Sequence, residues 1–157
     1  MKQIKREIPF AELMPIIRDS FEQGLTVTLP VTGNSMKPLF SHKRDSVVLS
    51  ACDPYSLKRG DVPLYRRDDG QYVLHRIVRV EEDTYTLTGD AQWELEIGLP
   101  KKNVLAVMTG FIRKGKAVNC QNFSYRVYVA VWMCLRPLRP MMVRVRRKLR
   151  SILKNKK

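Results

Sequence analysis

Between residues 25 and 118 the chain is a succession of short β-prone runs cut by turn residues, and this texture restricts the fold more than any other feature. Residues 25–29 alternate in strand fashion and residues 45–50 are rich in Val and Leu. Residues 62–67, 71–80, 84–88, 104–112 and 117–118 continue the pattern. Asp69-Gly70 stands between two of these runs with the composition of a hairpin turn, and Glu81-Glu82-Asp83 marks a second turn. The expectation is a mainly β domain of short, mostly antiparallel strands.

The flanks read differently. Phe10, Leu13, Met14, Ile17 and Phe21 recur at helical spacing, with Gly24 as the C-cap and Pro15 expected to break the run into a turn and a shorter helix. Beyond the β region, residues 123–135 are apolar and aromatic. Met142, Val145, Leu149, Ile152 and Leu153 then recur at helical spacing opposite Arg144, Arg147, Lys148 and Arg150. The expected organisation is an N-terminal helical segment at 1–24, a β domain at 25–118 and a basic, amphipathic C-terminal tail at 119–157.

Charge divides along the same line. Residues 1–96 carry 13 Lys and Arg against all 15 Asp and Glu, whereas residues 97–157 carry 16 Lys and Arg and no acid. A near-neutral body with a basic tail points to a polyanionic partner. The aromatic run upstream of the tail, with no DNA-reading motif, favours an anionic membrane surface over nucleic acid. The longest apolar run, residues 127–135, would reach about 13–14 Å as a helix against roughly 30 Å of hydrocarbon. With no h-region near the start, the expectation is neither a transmembrane helix nor a signal peptide, and a peripheral place on the cytoplasmic side of a membrane. Cys52, Cys120 and Cys134 are an odd count without CxxC spacing and read as reduced thiols. No metal site or cofactor is expected.

Three segments carry chemistry. The first, Thr32-Gly33-Asn34-Ser35-Met36-Lys37-Pro38, holds a serine in a tight turn, where a nucleophile needs an exposed hydroxyl and nearby amides. Gly33 lets a substrate backbone approach. The second contains His75 among apolar neighbours in the run 71–80. The only other histidine, His42, lies in a polar loop, so His75 is the better candidate base near neutral pH. The third is Leu87-Thr88-Gly89-Asp90, where Asp90 follows a strand and a glycine, with Glu96 the other acid within reach. Asp90 serves equally as an Asx-turn residue on spacing alone.

Together, Gly33-Asn34-Ser35-Met36 with Pro38, then Arg59-Gly60-Asp61-Val62, then Leu74-His75-Arg76-Ile77-Val78, then Thr88-Gly89-Asp90 resemble the serine peptidases of the signal peptidase I and LexA-like repressor superfamily. The resemblance covers roughly residues 25–115. It implies that Ser35 is the nucleophile and that His75 stands where many members place a lysine base, as in the Ser-His type of signal peptidase. It implies that Asp90 is the favoured third catalytic residue, with Glu96 the alternative because a second family aspartate would fall there. Ser35 N–H would supply an oxyanion donor, Met36 would shape the pocket for a small side chain, and Gly33 replaces a second hydroxyl donor. Asp61 and Arg76 are read as structural, tying the hairpin to the Ser35 turn. The activity implied is a serine endopeptidase of signal peptidase I type, cleaving a leader or signal-like peptide after a small residue. The alternative is a catalytically inactive regulatory or binding module of the same fold that uses its basic tail to hold nucleic acid or a partner.

Overall fold

The computed structural model describes residues 10–138. Two compact units divide between Cys120 and Gln121. The first is mainly β, and every strand pair in it is antiparallel.

Helix α1 (Phe10–Glu22) buries Met14 and Ile17 and packs the Phe10 ring 4.9 Å from that of Tyr72. It runs through Pro15 without the expected break. Pro15 lacks only the bond to the Ala11 carbonyl, and both residues are exposed, so water can serve that acceptor. The helix ends in a Schellman motif: Leu25 N–H reaches the Ser20 carbonyl at 2.9 Å and Gly24 N–H reaches Phe21 at 3.0 Å. Gly24 takes φ +71°, which closes that motif.

The larger sheet consists of β1 (Val27–Pro30), β2 (Ser46–Ser50), β3 (Pro63–Arg66), β4 (Tyr72–Leu74), β8 (Val104–Arg113) and β9 (Lys116–Asn119). Its order is β1-β2-β8-β3-β4, with β9 also on β8. A second sheet holds β5 (Arg76–Val80), β6 (Thr84–Thr88) and β7 (Glu96–Pro100) in that order. The Asp69-Gly70 turn joins β3 to β4 as expected, with Leu64 opposite Leu74 and Arg66 opposite Tyr72. The run 71–80, expected as one strand, is two: β4 stays in the larger sheet, β5 belongs to the smaller, and His75 is the residue between them. Strand β7 carried no clear signal in the sequence.

The two sheets share a core. Tyr65 and Val104 from the larger sheet meet Ile77, Tyr85, Leu87 and Leu99 from the smaller, with Leu57 from the intervening loop. Alternation explains the choice, since Tyr85 and Leu87 fall on one face of β6 and Val104, Ala106 and Met108 on one face of β8. The loop between β1 and β2 is held by Asp45. Its carboxylate accepts Ser41 N–H at 2.8 Å, the Arg44 guanidinium at 2.7 and 2.9 Å, and Lys114 N–H at 3.2 Å. The Arg44 bonds lead the causes that hold this carboxyl down at about 2.

In the second unit, helix α2 (Phe123–Leu135) is capped by Asn122, whose side chain accepts Ser124 N–H at 3.0 Å. A 3₁₀ turn follows at Arg136–Leu138. The amphipathic helix expected over 142–153 lies outside the described residues.

Candidate active site at the junction of the two sheets

Ser35 sits in the β1–β2 loop, half-buried between exposed Asn34 and buried Met36. Its turn is braced twice. Gly33 N–H donates to His42 Nδ1 at 2.9 Å, so the histidine set aside as a loop residue fixes the approach to the serine. Ala91 N–H donates to the Ser35 carbonyl at 2.7 Å, pinning the turn to the segment after β6. That contact requires Gly89: a Cβ there would lie 2.6 Å from the Ser35 carbonyl oxygen and 2.9 Å from Ser35 Cβ.

His75 arrives from the other side. His75 directly precedes Arg76, which opens β5 and pairs with Thr88 at the end of β6. No hydrogen bond joins Ser35 to His75 among the described residues. Such bonds are often long in an unliganded enzyme and tighten with substrate.

The imidazole is engaged on one side only. Nδ1 lies 3.2 Å from Tyr65 Oη and 3.6 Å from Glu96 Oε2. The Tyr65 hydroxyl donates to Glu96 Oε2 at 2.6 Å, and Arg67 grips both carboxylate oxygens at 2.7 Å. Nε2 has no hydrogen-bond partner among the described residues. His75 lines a groove of about 300 Å³ together with Thr88, Gln92, Leu95 and Glu96.

Burial dominates the electrostatics. It holds His75 below the ordinary imidazole value, with Arg67 acting in the same direction and Glu96 and Asp90 opposing. Burial likewise works to raise Glu96, but hydrogen bonds from Arg67 and Tyr65 outweigh it, leaving that carboxyl below the ordinary glutamate range. The Tyr65 phenol is pushed far up, first by burial and then by Glu96. Neutral pH thus finds a neutral imidazole beside an ionised Glu96 and an intact phenol.

Asp90, favoured from the sequence, faces elsewhere. Its Oδ1 and Oδ2 accept Arg76 Nε and Nη2, each at 2.8 Å, and both side chains are wholly enclosed. Arg76 also donates to the Gly60 carbonyl at 2.8 Å. Gly60 N–H donates to Ile77 and Ile77 N–H to Asp61, so the Gly60-Asp61 turn, β5 and Asp90 are tied together. Arg76 thus ties the Gly60-Asp61 turn to Asp90, while the Asp61 carboxylate accepts Lys58 N–H at 2.8 Å. Met36 is buried beside the serine, whereas Gly33 is exposed with φ +89°.

Sequence reasoning missed Tyr65 and Arg67. Residues 62–67 read only as a β-prone run, and nothing local announced a Tyr65 hydroxyl aimed at His75. Among the described residues no group of three or more His, Cys, Asp or Glu could hold a metal ion. No family model matches the chain, and no curated protein matches it.

Proposed function

We propose that this chain is a serine endopeptidase of signal peptidase I type, with Ser35 as nucleophile and His75 as general base. The observation that carries it is the one-sided environment of His75: buried, held below the ordinary imidazole value, contacted at Nδ1 by Tyr65, without a hydrogen-bond partner at Nε2 among the described residues, and lining a groove. In the first step His75 Nε2 takes the Ser35 hydroxyl proton as Oγ attacks the scissile carbonyl carbon. The Ser35 N–H meets the oxyanion; one such donor contributes on the order of 3 kcal/mol to the transition state. His75 returns the proton to the leaving amine. Water, activated by the same imidazole, then hydrolyses the acyl ester. Buried Met36 next to the nucleophile suits a small side chain before the cleaved bond.

A fluorophosphonate probe tests this directly. Wild type should label at Ser35, while Ser35→Ala should not and His75→Ala should label at least a hundredfold more slowly. Absence of wild-type labelling would sink the peptidase reading. It would favour a binding module that keeps the fold without catalysis.

The same proposal places the protein on the cytoplasmic face of an anionic membrane. Among the described residues no helix is long and apolar enough to cross one. Phe123, Val127, Val131 and Leu135 recur every fourth residue of α2 and are all exposed. They belong to the acid-free stretch 97–157 with its 16 cations. An apolar stripe inside a basic segment suits peripheral attachment, where each Lys or Arg near the surface contributes about 1 kcal/mol. The full chain should float with anionic vesicles and stay down with zwitterionic ones. Val127→Glu with Val131→Glu should weaken flotation; flotation indifferent to lipid charge would refute the attachment.

A further inference from the structure

We propose that Tyr65 is the positioning residue for His75: its hydroxyl contacts both the imidazole and Glu96 and decides which ring nitrogen carries the proton. The consequence for turnover rests on the peptidase reading above, but the geometry does not.

Glu96 cannot hold the imidazole by itself. Its nearest oxygen is 3.6 Å from Nδ1, beyond a good hydrogen bond, and Arg67 fixes the carboxylate plane with two bonds of 2.7 Å. Asp90 cannot do so either, since its two oxygens are turned to Arg76. Among the described residues only the Tyr65 hydroxyl is within hydrogen-bond distance of Nδ1.

The direction of the bonds follows from what each group can give. An ionised carboxylate only accepts, so the phenol proton in the 2.6 Å contact points at Glu96. The phenol oxygen is left as an acceptor, and the proton in the 3.2 Å contact must come from Nδ1. His75 is thereby the Nδ1–H tautomer with its lone pair on Nε2, the form a general base for Ser35 requires. Tyr65 is wholly buried, and its backbone is paired by β4 on one side and β8 on the other, so ring and strand are held in the core.

No proton leaves the phenol during a cycle. When Nε2 accepts the Ser35 proton, the imidazolium keeps its Nδ1–H on Tyr65 Oη. The phenol keeps its own proton on Glu96, and the negative charge stays on the Arg67-bound carboxylate. When Nε2 gives the proton to the leaving amine, the original state returns. Tyr65 supplies the orientation, and Glu96, with Oε2 3.6 Å from Nδ1, supplies the charge that balances the imidazolium.

The test is nitrogen-15 NMR of the full chain at a pH where imidazoles are neutral. Only two histidines contribute, and His75→Gln identifies the signals of His75 by their loss. Wild-type His75 should carry its proton on Nδ1. In Tyr65→Phe, which changes one oxygen in a packed ring, the proton should move to Nε2. kcat should then fall roughly ten- to a hundredfold with KM nearly unchanged. A residue that served packing alone would leave the tautomer where it was. A wild-type proton on Nε2 overturns the proposal whether or not the protein cleaves peptides. So does a Tyr65→Phe protein that keeps the Nδ1 proton and the wild-type kcat. If Tyr65→Phe fails to fold, the wild-type spectrum still decides. A wild type with the Nδ1 proton but no labelling by the fluorophosphonate would refute the peptidase reading and leave this one standing.

Discussion

Replacing Asp90 by Asn separates the two acids near His75 by what they do. Asp90 and Arg76 form a two-pronged pair with bonds of 2.8 Å, and neither side chain touches solvent. The amide keeps the shape and one acceptor but removes the charge, so the Arg76 guanidinium stays enclosed without its carboxylate. Breaking one side of such a pair costs about 3–5 kcal/mol. Native stabilities are only about 5–15 kcal/mol, so the loss is a large share of the whole. For a chain of this size each kcal/mol moves the melting point by about 4 °C, so Asp90→Asn should melt roughly 12–20 °C below wild type. Removing both charges, as Arg76→Met with Asp90→Leu, should recover much of the loss because no charge is then buried alone. Glu96→Gln is the control: its side chain is one-quarter exposed, and it should lower turnover with little change in melting. Circular-dichroism melts of the four proteins, with turnover measured well below each melting point, read both effects. If Asp90→Asn melts within about 3 °C of wild type yet loses turnover by orders of magnitude, Asp90 acts on the chemistry and the structural assignment fails.

Gly89→Ala drives a methyl to within 2.6 Å of the Ser35 carbonyl oxygen, so the turn must shift; expect about 1–3 kcal/mol of destabilisation and probe labelling slowed about a hundredfold. Wild-type labelling with unchanged melting would show that this contact does not fix the serine. The acid limb of kcat/KM should fall below the ordinary imidazole value of 6.5, because burial, aided by Arg67, outweighs Glu96 and Asp90 around a ring bonded to Tyr65. A limb above 6.5 would contradict that balance. The same lowered pKa makes the unfolded chain the stronger proton binder, so this contribution to stability is full above 6.5 and declines as pH falls below it. Asp45, held at about 2 against an ordinary 3.8, should contribute stability that is complete above 3.8 and lost as pH drops toward 2. Acid-unfolding curves of Asp45→Asn should be flatter across that window; an unchanged curve would remove Asp45 from the loop's support.

The period-two pattern, the Asp69-Gly70 turn and the helical spacing from Phe10 to Phe21 are local signals, written in neighbouring residues, and they gave most of the elements. They failed where the deciding force is not local. Residues 71–80 form one continuous β-prone run with no turn residue, yet the chain leaves one sheet for the other at His75, because β4 pairs with β3 and β5 with β6. Strand β7 contains Gly98 and Pro100 and exposes Ile97, so it has little strand character of its own and forms because β6 offers an edge.

The sequence by itself determined the mainly β class and singled out Ser35 and His75, since reactive residue types at a tight turn and among apolar neighbours stand out without coordinates. The pairing of the acids was decided by tertiary structure alone. Asp90 and Glu96 are six residues apart and chemically alike, and no spacing rule says which one meets His75. Pairing of Leu87 with Glu96 carries one carboxylate to the rim of the groove, and the fork of Arg76 takes the other into the interior. A carboxylate binds whichever donor the folded backbone presents at hydrogen-bond range, and that range is set by strand register across 14 to 31 residues of chain.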